Sequence, residues 1–105
     1  MRQVIVRYKL KADRVDENRE MVRRVFDELT RTAPSGIAYG AFQLADPLQW
    51  VHIAFVAGET NPLLAVEAFK AYGANVAERC EEPPVVSDLT CIGTYGLPGV
   101  KAVAG

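Results

Sequence analysis

The chain is poor in the residues on which most recognisable chemistries depend: its 105 residues include one histidine, one tryptophan and two cysteines. Neither Cys80 nor Cys91 has a partner at Cys-x-x-Cys spacing or a companion histidine, so zinc is not indicated. Two such thiols read as buried, reduced small hydrophobes, with a disulfide or redox role the minor alternative. No Gly-x-Gly-x-x-Gly, phosphate loop, Gly-x-Ser-x-Gly or His-x-x-x-His occurs, which leaves nucleotide, acyl-enzyme and zinc chemistry without a motif. Charge of one sign is missing too. Twelve basic side chains against thirteen acidic ones give a net charge of −1, and no Lys/Arg cluster follows one element, so no nucleic-acid partner is expected. The apolar runs are strand-sized, well below the roughly 20 residues that cross a bilayer, so no membrane partner is expected either. A strand pattern starts almost at the first residue; the expectation is a cytoplasmic protein without a signal peptide.

What is present is periodic. Half of the residues are hydrophobic, enough for one folded domain, placed at 1–95 with 96–105 as an aperiodic tail rich in Gly, Ala and Val. Gln3 to Lys11 reads as a strand with Val4, Val6, Tyr8 and Leu10 alternating with Ile5, Arg7 and Lys9. A helix follows, capped by Asp16, with Val22, Val25, Phe26, Leu29 and Ala33 at helical spacing and Glu20, Arg23, Arg24, Asp27, Glu28 and Arg31 on a solvated outer face. Ile37–Leu44 and Gln49–Ala57 are predicted strands around the Ala45-Asp46-Pro47 turn. Asn61 and Pro62 suit the start of a second helical region with Val66, Phe69, Gly73, Val76 and Cys80 inside, broken in two at Gly73. Glu81-Glu82-Pro83-Pro84 reads as its end, a solvated turn and not a catalytic carboxylate pair. Val85 to Tyr95 is the predicted last strand.

Two strand–helix–strand units in series, 3–44 and 49–95, give the order βαββαβ. This is the ferredoxin-like topology of the α+β class: an antiparallel sheet with both helices on one face. The Gln49–Ala57 strand is apolar in both of its alternating sets, so its second face needs a cover, and the expected cover is another copy of the chain. We expect Val51, Ile53 and Phe55 to face the helices and to pack on Val25, Phe26, Leu29 and Phe69. Trp50, His52, Ala54 and Val56 then face the other way.

The element order, the opening Val-Ile-Val-Arg-Tyr, the helix ending in Glu-Leu-Thr-Arg-Thr, the strand Trp-Val-His-Ile-Ala-Phe and the helix Ala-Phe-Lys-Ala-Tyr carry a resemblance over residues 3–95. The chain resembles the dimeric α+β barrel superfamily, in particular its antibiotic-biosynthesis monooxygenase-like branch. The resemblance implies a homodimer with facing sheets and a pocket between sheet and helices in each subunit. It further implies oxygenation without metal or flavin, in which an electron-rich aromatic or polyketide-like substrate itself reduces oxygen; no cofactor is expected. Some relatives degrade haem through a histidine ligand, and others are known only as stress-linked or uncharacterised dimers.

Few residues suit chemistry, and the first of them, His52 with Trp50, is expected on the barrel side of the sheet. His52 is placed as a proton donor or acceptor, with a hydrogen bond in the interface as its plainer alternative. Arg7, mid-strand, is a candidate for a substrate carboxylate or enolate, though pairing with Asp88 or Glu59, or snorkelling to the rim, is the favoured account of it. Trp50 is a candidate pocket wall or a core residue. Tyr39 and Tyr72, with Tyr8 and Tyr95, offer hydroxyls. Two functions from different classes follow: a cofactor-independent monooxygenase-like enzyme, or a non-catalytic dimeric ligand-binding or stress-related module.

Overall fold

A computed structural model describes residues 1–97. Strands β1 (Arg2–Leu10), β2 (Ile37–Gln43), β3 (Gln49–Val56) and β4 (Cys80–Asp88) form one antiparallel sheet in the order β2-β3-β1-β4. Helices α1 (Val15–Thr32) and α2 (Glu67–Ala74) pack together on one face, which is the ferredoxin-like arrangement of the α+β class. The tail expected at 96–105 falls, from residue 98 on, outside the described residues.

α1 forms where Asn18, Val22 and Val25 recur on one side and are buried there. It starts through a 3-10 turn, Ala12–Arg14, so Asp16 is not its cap but lies in the first turn, paired with Arg19 at 2.9 Å. It ends at Ala33, whose left-handed φ of 45° lets its N–H reach Leu29 O at 2.8 Å before Pro34 forbids another turn.

The second helical region departs from expectation at both ends. Asn61 does cap, accepting from Leu63 N, but it caps a 3-10 turn, Pro62–Ala65, and extended Val66 then separates that turn from α2. α2 runs through Gly73 to Ala74, so the expected break of the helical region falls just after Gly73, at Asn75, and a methyl group on Gly73 would touch nothing within 4 Å. A third 3-10 turn, Val76–Arg79, leads into β4.

β4 begins five residues before the expected Val85 and includes Pro83 and Pro84. It is an edge strand paired only with β1, so an N–H missing on its outer side breaks no ladder bond. Where the prolines sit, the register slips: Arg7 pairs with Val85, whereas Lys9 pairs with Glu82. That bulge absorbs the rigid pair.

The facing of β3 is the reverse of the expected one. Trp50, His52, Ala54 and Val56 are buried toward the helices, whereas Val51, Ile53 and Phe55 are half-buried on the other face. Register decides this. Opposite Tyr8 and Val6 lie Trp50 and His52, and opposite Arg7 lies Val51, so the strand set that carries the β1 charges must point away from the core.

Candidate functional site

His52 is 4% exposed and is held at both ring nitrogens. The Tyr8 hydroxyl lies 2.8 Å from Nε2 and the Tyr39 hydroxyl 2.5 Å from Nδ1. Three adjacent strands supply these groups, because the even-numbered residues of β1 and β3 and, through the Tyr39–Ala54 pairing, the odd-numbered residues of β2 share the helix face. Tyr72 reaches down from α2 to stack on the imidazole, with ring centroids 5.4 Å apart.

The network continues into the core. Asn18 Nδ2 donates to Tyr8 Oη at 2.9 Å, and Arg79 Nε donates to Asn18 Oδ1 at 3.1 Å. Arg79 is fully buried, donates also to Asn75 Oδ1 and to the carbonyl of Tyr72, and lies over the Tyr72 ring. All of these partners are neutral. Among the described residues no carboxylate pairs with Arg79, and Glu17 feels its charge only through space. A guanidinium without a counter-ion in the core must be satisfied by dipoles, which the two asparagines and the carbonyl provide.

Burial lowers the pKa of His52 to about 4, so the imidazole is neutral near pH 7. Burial also raises the pKa of Tyr39 and Tyr72 and, partly offset by hydrogen bonds from Tyr72 and Asn18, that of Tyr8. The three phenols keep their protons. The site is a set of neutral, aligned hydroxyls around a neutral imidazole. It is not an acid–base pair.

A cavity of about 320 Å³ opens beside this set, between the sheet and α2. His52, Tyr39 and Tyr72 line it together with Val4, Val6 and Phe69, and exposed Leu64 and Val86 border it. Phe26 and Phe69 pack on the Tyr39 ring at 5.2 and 6.2 Å, fixing that phenol between α1 and α2. Such a space suits a small, flat, mainly apolar molecule that carries an oxygen.

Of the five candidates from sequence, His52, Tyr39 and Tyr72 come together. Arg7 does not: it is exposed on the opposite face of the sheet, and Asp88, its suggested partner, pairs with Arg2 at 3.0 Å. Trp50 shares the face of His52 but belongs to the core, stacked on Tyr8 at 6.3 Å with its indole N–H bound to Pro47 O, and it does not line the cavity. Tyr95 is fully exposed. Asn18 and Arg79 went unrecognised in the sequence. Asn18 had a signal, a polar residue four before Val22 on the apolar stripe of α1. With both nitrogens engaged by phenols, His52 offers no lone pair to a haem iron, so this site does not fit the haem-ligating role. Among the described residues no helix is long and apolar enough to cross a membrane.

No protein-family model matches the chain, and no curated protein sequence does. Solved structures do. The crystal structure of an antibiotic biosynthesis monooxygenase superposes with a TM-score of 0.72 at 22% identity, covering 89% of this chain and 100% of its own. A protein of unknown function from Nitrosomonas europaea gives 0.68 at 20% identity over 99% of this chain and 95% of its own. Rv0793 from Mycobacterium tuberculosis gives 0.59 at 19% identity over 90% and 98%. At these identities the likeness is one of fold, and by fold the chain is a ferredoxin-like α+β domain like that of the antibiotic biosynthesis monooxygenase.

Proposed function

We propose that the chain is a homodimeric, cytoplasmic, cofactor-independent monooxygenase-like enzyme acting on a small aromatic or polyketide-like substrate. The observation that carries this reading is the apolar cavity beside His52 and the hydroxyl-bearing rings of Tyr39 and Tyr72. An apolar cleft favours a flat ring system, and hydroxyls at its wall favour a ring that bears oxygen. The fold shared with an antibiotic biosynthesis monooxygenase supports the reaction type. An activated methylene between aromatic rings enolises and loses a proton to water; the enolate then gives electrons to dioxygen. The carbon hydroperoxide so formed eliminates water, so that CH2 and O2 become C=O and H2O with the four electrons supplied by the substrate. Arg7, on the other face, takes no part.

One observation favours the alternative, a non-catalytic ligand-binding module: His52 is neutral and fully hydrogen-bonded, hence no free base at pH 7. Anthrone as probe separates the two. Under the enzyme reading, the protein accelerates oxygen uptake and one atom of labelled dioxygen enters the product. Quenching of the Trp50 fluorescence by anthrone without oxygen uptake supports the binding module, and neither signal overturns the cavity as a ligand site.

The second face of the sheet supports the dimer. Ile5, Val51, Ile53 and Phe55 lie there with Phe42 and Val85, which are 56% and 59% exposed. A second copy is the fitting cover for so flat an apolar surface.

A further inference from the structure

The hydrogen bonds around His52 have a direction, and Arg79 sets it. A guanidinium has no acceptor, so the atom of Asn18 that faces it is the oxygen, which turns Nδ2 toward Tyr8. Tyr8 Oη therefore accepts from Asn18. Of the two groups bonded to this buried hydroxyl, the Asn18 amide nitrogen can only donate, so the Tyr8 hydrogen goes to Nε2 of His52. A neutral imidazole that accepts at Nε2 carries its proton on Nδ1, and Nδ1–H must donate to Tyr39 Oη. Each step leaves one choice for the next. The last hydrogen in the chain, on Tyr39, has no protein acceptor among the described residues, and Tyr39 lines the cavity.

We infer that Arg79 orients a relay through Asn18, Tyr8 and His52 so that the Tyr39 O–H points into the cavity as the donor that receives a ligand oxygen, a carbonyl, phenolate or enolate. This rests on reading the cavity as the ligand site. The buried positive charge at the far end polarises every bond in the same sense, which strengthens the final donor. His52 and Asn18 are then positioning residues, and Tyr39 is the contact. A ligand that offers an acceptor oxygen is selected over one of the same shape that lacks it, because a hydrogen bond to a buried donor is costly to leave unmade.

Two measurements test this. Nitrogen NMR of the apo protein at pH 7 reads the tautomer directly, and the expected state is Nδ1–H with an unprotonated Nε2. In Asn18→Asp the carboxylate accepts from both Arg79 and Tyr8, Tyr8 turns, and His52 flips to Nε2–H, drawing the Tyr39 hydrogen back to Nδ1. An Nε2–H tautomer in the wild type, or no change in Asn18→Asp, overturns the relay. The second measurement compares 1,4-naphthoquinone, which has acceptor oxygens, with naphthalene, which has none. Both Tyr39→Phe and Asn18→Asp should weaken naphthoquinone by about tenfold, as expected for one hydrogen bond, and leave naphthalene unchanged. Equal loss for both probes, or none, overturns the assignment of Tyr39 but not the cavity. Failure of both probes to bind the wild type overturns the cavity as ligand site, whatever the tautomer.

Discussion

Tyr8 and His52 meet diagonally across the β1–β3 ladder, their hydroxyl and Nε2 2.8 Å apart, although His52 pairs in register with Val6 and Tyr8 with Trp50. The bond thus crosses two rungs of the sheet. Tyr8→Phe keeps the ring against Trp50 but leaves Asn18 Nδ2 and His52 Nε2 without a partner in the core. We expect a loss of about 1–3 kcal/mol, the cost of stranding buried polar groups, measured by chemical denaturation. A loss near zero would mean that water replaces the phenol.

His52 should make stability depend on pH in a definite window. The ordinary imidazole pKa is 6.5, and burial lowers it in the folded chain to about 4. Between these values the unfolded chain binds a proton that the folded chain refuses, so stability falls as pH drops from about 6.5 to about 4 and is unaffected by His52 above it. The full effect is on the order of 3 kcal/mol. The groups in contact with the imidazole, Tyr8, Tyr39 and Tyr72, stay protonated throughout and do not compete. Glu20, held down to about 2 by Arg23, acts at lower pH. Denaturation midpoints for the wild type and His52→Gln across pH 4–7 should converge at acid pH; parallel curves would contradict the neutral, buried imidazole.

Much of this fold was legible because its signals are local. Helical spacing from Val22 to Leu29 and alternation in β1 and β3 place the elements, and the two helix-to-strand units dictate the sheet order. Facing was not legible from β3 alone, since both of its sets are apolar; it is settled by which residue stands opposite Arg7 and Lys9, a property of register. β4 was misplaced because Pro83-Pro84 reads as punctuation unless the strand is known to lie at an edge. The site was half legible. Aromatic rings at His52, Tyr39 and Tyr72 could be named, but the partnership of Asn18 and Arg79 spans 61 positions and exists only after α1 and the turn before β4 have packed.

Glu28 illustrates a surface residue with a distant task. Counted by spacing among the solvated charges of α1, it instead accepts from Glu67 N and Ala68 N, both at 3.0 Å, and so caps α2, whose preceding residue, Val66, has no capping side chain. A carboxylate at a helix N-terminus meets unsatisfied N–H groups and the positive end of the dipole. Glu28→Ala should cost about 1–2 kcal/mol by denaturation. Because α2 carries Phe69 and Tyr72 over the cavity, faster amide exchange in Glu67–Ala74 should accompany it. Unchanged exchange there would remove Glu28 from this role.

The outer face gives the clearest contrast between fold and assembly. Ile53 stands between Ile5 and Gly40 on adjacent strands, in the middle of an apolar surface that no helix or strand among the described residues covers. In a dimer closed through this face, Ile53→Arg buries an unpaired guanidinium at the centre of the contact. Its desolvation is costly only when a partner is present. Light scattering coupled to size exclusion should therefore show a dimer for the wild type and a folded monomer for Ile53→Arg, with an unchanged circular dichroism spectrum. Trp50→Ala, three residues away on the helix face of the same strand, should do the reverse: it deletes a buried aromatic, costs about 3–5 kcal/mol and leaves the surviving folded fraction dimeric. A wild-type monomer at micromolar concentration would contradict the assembly, and equal effects of the two substitutions on stability would contradict the facing.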